Sequence, residues 1–273
     1  MSIFQAFILG IVQGLTEFLP VSSSAHLVIV PYLLNWNLDG NEAFVFDVLV
    51  QLGTLVAVIV YFWKDLVSIF KAMVSGIKSK QLLQEQDGRL GWMILLATIP
   101  AGLAGLLLKD KVEAAFSDPV QTAIMLFVTA VLLTTAEILS KKTRVSGEIQ
   151  PKDALVIGLF QAASIFPGIS RSGATISGGL LSGFKRQDAA RISFLMSIPI
   201  MAAAGLLSVI DLFSLPSLEG MLPTILVGFL TSMVVGYLAI CWFMGLLKEK
   251  TLFPFALYCG LLSVTVILVA YAR

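Results

Sequence analysis

The chain has 273 residues, 58% of them hydrophobic and 13% charged, with a formal net charge of +1 and a mean hydropathy of +0.93. A soluble domain of this length needs more charge to cover its surface, and a charge balance this even gives no footing for nucleic-acid binding. One histidine excludes a His-rich metal cluster, and Cys241 and Cys259, in apolar runs without CxxC spacing, read as small packing residues.

Along the chain, no basic n-region with a small-residue cleavage site opens the sequence, so no removable signal peptide is expected. Residues about 3–34 are apolar but carry a proline and a polar cluster at their centre: Gln13, Glu17, Pro20, Ser22, Ser23, Ser24 and His26. Broken backbone at membrane depth is tolerated only where protein or a watery cavity surrounds it. The pattern therefore predicts a re-entrant helix hairpin. Spans long enough to cross a hydrocarbon core come next, at about 44–63, 92–108 and 120–139. A second hairpin is predicted at about 154–184, where Gln161, Pro167, Gly168, Ser170, Arg171, Ser172, Gly173 and Thr175 interrupt the apolar run. Spans at about 192–210, 223–244 and 255–272 complete the chain. The expected fold is an all-α polytopic membrane protein, six full transmembrane helices plus two re-entrant hairpins in one membrane domain, 1–273.

Lys and Arg placement sets the orientation. If the loop 64–91 is cytoplasmic, the basic loops 140–153 and 185–191, with Lys248 and Lys250, fall on the same side. Lys109, Lys111 and Arg273 fall outside, and the connections 35–43 and 211–222 carry no Lys or Arg. The positive-inside rule favours this arrangement. Residues 1–139 and 154–273 then form two repeats of inverted topology, a plan common among transporters. Gln13 to Ser22 and Gln161 to Ser170 have the same spacing, and each pair brackets a proline.

Gln13 and Glu17, four apart, share one helical face, and Gly10 and Gly14 form a neighbouring stripe that would let another helix approach. Pro20 cannot continue the helix, and Ser22 or Ser23 can cap the next one, leaving first-turn N–H groups as an anion site. His26, three residues after Ser23, makes a possible nucleophile–base pair with it, while Glu17 could orient imidazole, activate water or hold a metal. In the second hairpin Pro167-Gly168 makes the break and Ser170 can cap the helix beyond it. Arg171 offers a planar fork of donors for phosphate oxygens, Ser172 and Thr175 add hydroxyls, and Gly173 keeps the backbone close to a ligand. An unpaired carboxylate in hydrocarbon costs several kcal/mol, so Glu17 and Arg171 together point to a site. Glu137, Asp47, Asp65 and Trp36, Trp63, Trp92 and Trp242 read as boundary residues, and Gly178-Gly179 with Gly183 as helix packing.

Glu17-Phe-Leu-Pro-Val-Ser-Ser23 with His26, and Pro167-Gly-Ile-Ser-Arg171-Ser-Gly-Ala-Thr175, resemble the two signature motifs of the bacterial undecaprenyl-diphosphate phosphatase family of the bacitracin-resistance type. The likeness covers essentially the whole chain. It implies a multi-pass enzyme of the bacterial plasma membrane that removes one phosphate from undecaprenyl diphosphate, recycles the carrier lipid for peptidoglycan synthesis and protects against bacitracin. It also implies dependence on a divalent cation, Mg²⁺ or Ca²⁺. By the same resemblance Glu17, Ser23, His26 and Arg171 are catalytic, and Gln13, Ser22, Ser24, Gly168, Ser170, Ser172, Gly173 and Thr175 surround the phosphates. Many members have a glutamate where this chain has Gln13, which cannot carry charge, so the metal role falls mainly on Glu17. Attack by Ser23 with His26 as base is favoured, attack by His26 or by water oriented on Ser23 being the alternatives. The partners implied are the polyprenyl diphosphate and membrane lipids, with self-association left open and the pocket opening to the external side. A different class of function, a transporter or flippase for an anionic polyprenyl lipid or small anion, would use the same inverted repeats without needing a nucleophile.

Overall fold

A computed structural model describes residues 1–36, 40–108, 118–212 and 218–272, with the side chains of 40–45, 207–212 and 218–221 outside that description. Lys109, Lys111 and Arg273 of the orientation argument lie outside the described residues. The described residues are helical, with one isolated bridge between Arg144 and Phe184. In chain order the helices are α1 (Ile3–Phe18), α2 (Ser23–Leu33), α3 (Gly40–Tyr61), α4 (Trp63–Ser79), α5 (Gln86–Leu107) and α6 (Pro119–Leu139). Then come α7 (Pro151–Ala163), α8 (Arg171–Leu181), α9 (Arg186–Leu212), α10 (Leu218–Leu246) and α11 (Phe253–Ala272). Five of these, α5, α6, α9, α10 and α11, contain segments long and apolar enough to cross a membrane, and a sixth arises if α3 and α4 count as one bent span. The protein is a multi-pass membrane protein.

The segment 64–91, expected as a loop, begins with helix α4, which leaves α3 at a bend of 73°. Its apolar residues recur at helical spacing, and Ile69, Ala72 and Gly76 are buried while Lys71 and Lys78 stay exposed. That amphipathic stripe packs α4 on α5. The long helices run beyond their apolar windows for a related reason. Polar first turns, such as Gln86-Asp87-Gly88-Arg89 of α5, continue the backbone hydrogen bonding outside the hydrocarbon-matched stretch.

Small residues set a close helix pair. A Cβ on Gly10 would come within 2.8 Å of the Gly228 carbonyl, and one on Gly14 within 2.8 Å of the Gly236 nitrogen. The predicted glycine stripe therefore seats α1 directly on the backbone of α10. Gly14→Leu is expected to force the two helices apart at a cost of about 1–3 kcal/mol, seen as a lower melting temperature in detergent; unchanged melting would refute this packing. Above this contact Phe18 packs edge-on against Phe194 at 5.2 Å, and Phe243 against Phe255 at 5.3 Å. These rings tie the end of α1 into α9, α10 and α11.

Two hairpins stand out. α1 and α2 pack together, as do α7 and α8. α1 lies on α10, and α7 lies on α5, where a Cβ on Gly158 would come within 2.6 Å of the Ala97 carbonyl. α3 packs on α9, and α6 on α11. The second hairpin starts and finishes at one place. Arg144 donates to Asp153 at the start of α7 (3.0 Å) and to the Ser182 carbonyl just past α8 (2.8 Å). The pairing with Asp153 raises the Arg144 pKa above the ordinary guanidinium range.

The basic connections gather at this same end. Arg191 pairs with Asp65 (2.9 Å) and donates to Ser146 Oγ (2.8 Å), and Arg89 donates to the Gly147 carbonyl. Glu137, at the last turn of α6, is more than a boundary residue. Its side chain is 3% exposed and accepts both Nε and Nη2 of Arg186, pairs with Lys142 Nζ at 3.1 Å, and accepts the Leu252 N–H at 3.2 Å. The sequence reading missed this because its cationic partners come from two separate connections.

Candidate active site

α1 delivers Gln13 and Glu17 on one face and ends at Phe18, ahead of Pro20. The chain then turns through Leu19–Ser22. Ser22 takes φ 68° and ψ 95°, a left-handed conformation costly for a residue with a Cβ. Its hydroxyl caps α2 by accepting the Ala25 N–H at 3.3 Å and lies 3.1 Å from Ser24 Oγ. The second break has the same device. Ser170 caps α8 by accepting the Gly173 N–H at 3.0 Å, and its hydroxyl lies 3.1 Å from Ser172 Oγ. Gly168 provides the turn with φ 102°, and a Cβ there would strike the Thr122 carbonyl.

The two breaks meet. Ser172 Oγ donates to the Leu19 carbonyl at 2.9 Å, directly joining the second hairpin to the first. Ser23 and Arg171, each the first residue of its helix, converge on Glu17. Glu17 Oε2 accepts Ser23 Oγ–H at 2.6 Å and Gln13 Nε2–H at 2.8 Å, while Oε1 forms an ion pair with Arg171 Nη2. Arg171 Nη2 also lies 3.4 Å from Met201 Sδ, and its Nη1 is buried without a partner. This is a carboxylate, a hydroxyl and a guanidinium within one hydrogen-bonded cluster, drawn from both halves of the chain.

His26 is placed elsewhere. Its Nδ1 lies 2.7 Å from the Ser22 carbonyl, an acceptor, so this nitrogen carries the proton; Nε2 lies 2.7 Å from the Tyr258 hydroxyl, and the two rings stack. The imidazole thus braces the strained Ser22, and the bonded partner of Ser23 is Glu17. Thr175 is turned inward, with its hydroxyl 2.8 Å from the Arg171 carbonyl and 2.6 Å from Ser193 Oγ. The space beside Gly173 is filled by Ser170 and Thr129, a Cβ there meeting them at 3.0 and 3.2 Å. Gly178 and Gly179 serve packing as expected, facing Phe160 and Ala189.

A cleft of about 280 Å³ opens on the cluster. Glu17, Ser22, Ser23, Ser24, Ser170 and Arg171 line it, together with Gln51, Gln161 and Ser164, and apolar residues that include Ala101, Gly105, Ile200, Met201 and Ala204. It is a polar end with an apolar wall, as an amphiphile requires. Sequence reasoning missed Tyr258, Thr54 and Thr129. Thr54 Oγ1 lies 3.4 Å from Gln13 Nε2, and Thr129 holds both the Gly168 carbonyl (3.0 Å) and the Ser170 N–H (2.9 Å). None of the three lies in a motif that sets it apart from the other hydroxyls and polar residues of its apolar helix. Gln161 was visible only as the spacing partner of Gln13.

The family model described as bacitracin resistance protein BacA matches residues 6–265. An undecaprenyl-diphosphatase of Methanosphaera stadtmanae is 39% identical over 99% of this chain and 99% of its own length. The undecaprenyl-diphosphatase of Thermobifida fusca is 42% identical over 94% of this chain and 87% of its own, and that of Moorella thermoacetica 40% over the whole of both.

Proposed function

The chain belongs to the bacitracin resistance protein BacA family, and on that premise we propose that it hydrolyses undecaprenyl diphosphate to undecaprenyl phosphate and phosphate. It is a membrane-embedded hydrolase of cell-wall carrier-lipid recycling, and lowering the diphosphate pool confers bacitracin resistance. The observation that carries the reading is Glu17, bonded at once to the Ser23 hydroxyl and, across the two hairpins, to Arg171. A carrier or flippase needs the charge but not the hydroxyl–carboxylate pair, so the transport alternative is not favoured.

In this mechanism Ser23 Oγ attacks the terminal phosphorus while its proton passes to Glu17 Oε2, 2.6 Å away. The bond from that phosphorus to the bridging oxygen breaks, and the lipid monophosphate leaves. Glu17 hands its proton to the departing monophosphate, and the restored carboxylate deprotonates a water that attacks the phosphoseryl group. The bond from phosphorus to Ser23 Oγ breaks, Oγ takes the proton back from Glu17, and orthophosphate leaves. Arg171 and the N-terminal N–H groups of α8 neutralise the charge on the transferred phosphoryl. His26 acts as a positioning residue that holds the Ser22 carbonyl.

A divalent cation, Mg²⁺ or Ca²⁺, would be held by Glu17, by the unpartnered Oε1 of Gln13 and mainly by the diphosphate's own oxygens. Bound there, it would supply further neutralisation of phosphate charge. The donors fit a substrate-borne ion better than a protein cage, because no group of three metal-ligating acids, cysteines or histidines exists among the described residues.

The two hairpins are read as re-entrant and residues 1–139 and 154–273 as inverted repeats, in the bacterial plasma membrane with the cleft opening to the external side. Support comes from the matched contacts of α1 on α10 and α7 on α5, and from Arg144 closing the second hairpin at the basic end. Glu17, Ser23 and Arg171 come together within one chain.

The test is phosphate release from undecaprenyl diphosphate by purified protein. Ser23→Ala is expected to lower kcat by about 10³-fold or more, and a variant keeping most of its rate would remove Ser23 as nucleophile.

A further inference from the structure

Gln161 is the one cleft-lining side chain among the described residues whose two amide atoms, Nε2 and Oε1, are both buried without a partner. The residue is 2% exposed. A buried amide left unsatisfied costs about 1–3 kcal/mol, so a polar ligand in the cleft that completes it gains that energy on binding. The neighbouring Ser164 donates its O–H to the Gln161 backbone carbonyl at 2.7 Å and makes no bond to the amide side chain. Its counterpart in the first hairpin, Gln13, has its amide nitrogen engaged by Glu17. Gln161 therefore has a free donor where Gln13 does not.

Resting on the phosphatase reading above, we propose that Gln161 binds the inner, lipid-linked phosphate of the diphosphate. The terminal phosphoryl must face Ser23 and Arg171, which are grouped on Glu17. The inner phosphate carries the prenyl chain and must lie toward the apolar wall. Gln161 stands on α7, the helix packed against α5, and α5 contributes Ala101 and Gly105 to that wall. Beside both glycines of this stretch, Gly102 and Gly105, a Cβ would meet nothing within 4 Å, which leaves room for the start of the chain. Gln161 Nε2–H then donates to a non-bridging oxygen of the inner phosphate. As the bridging bond breaks, the same donor stabilises the monophosphate that departs.

The experiment compares two inhibitors on the wild-type enzyme and on Gln161→Leu and Gln161→Glu. Farnesyl phosphate reports the inner-phosphate and lipid subsite, and orthovanadate the terminal phosphoryl subsite. Gln161→Leu should raise the Ki of farnesyl phosphate about tenfold or more, the loss of one hydrogen bond to a charged group, while the Ki of vanadate stays unchanged. Gln161→Glu, of the same shape but placing a second negative charge beside the phosphate, should weaken farnesyl phosphate further. Gln161→Leu should keep the wild-type melting temperature, because the amide makes no hydrogen bond to lose, whereas Gln161→Glu buries an unpaired carboxylate and is expected to melt lower. Equal inhibition by farnesyl phosphate in all three proteins would overturn the assignment, as would a parallel loss of vanadate inhibition. Absence of phosphatase activity in the wild-type protein would instead refute the reading on which it rests.

Discussion

Arg171→Ala is expected to reduce phosphate release by about 10³-fold or more, the range found when a guanidinium that stabilises a transferring phosphoryl is lost. Two effects combine in it. The transition state loses its strongest donor, and Glu17, 7% exposed at its side chain, is left as a carboxylate without its cation. Breaking one side of a buried pair commonly costs several kcal/mol. Glu17→Gln should be comparably inactive, since an amide cannot take the Ser23 proton. The double variant should be little worse than either single one, because both remove the same cluster. Steady-state assays of the three purified proteins, with helical content checked by circular dichroism, decide the point. A fully additive double variant would mean that Glu17 and Arg171 act independently, against the ion pair described above.

The largest effect on stability should come from a residue far from the chemistry. Glu137→Ala strands the Arg186 guanidinium, Lys142 and the Leu252 N–H in a pocket where the lost side chain was 3% exposed. The expected loss is about 3–5 kcal/mol, or about 10 °C in melting temperature for a chain of this size. Glu137→Gln keeps an acceptor for the Leu252 N–H and should lose less. Thermal unfolding in detergent measures both, and an alanine variant that melts with the wild type would show that the three connections are held by other contacts.

The parts legible in the sequence were those where hydrophobicity or spacing forms a pattern. Apolar runs located the long helices, Pro20 and Pro167-Gly168 located the two breaks, and the four-residue step from Gln13 to Glu17 put both on one face. The glycine pair at 10 and 14 announced a close helix contact that α10 supplies. What stayed hidden were pairings between distant segments. Nothing local says that Ser23 bonds Glu17 while His26, three residues on, turns to Tyr258 in the last helix. Glu137 was invisible for the same reason. α4 was missed differently: its lysines drew attention to a loop, although Ile69, Ala72 and Gly76 already marked a buried helical stripe.

The double attachment of Glu17 has a consequence for timing. Before substrate arrives, carboxylate and guanidinium cancel each other, so the empty cleft presents little charge to the surrounding lipid. In the proposed mechanism Glu17 becomes neutral on accepting the serine proton, and its hold on Arg171 weakens just as the phosphoryl group needs a counter-charge. One proton shift thus arms the nucleophile and transfers the cation from protein to substrate, coupling two events that would otherwise have to be synchronised separately.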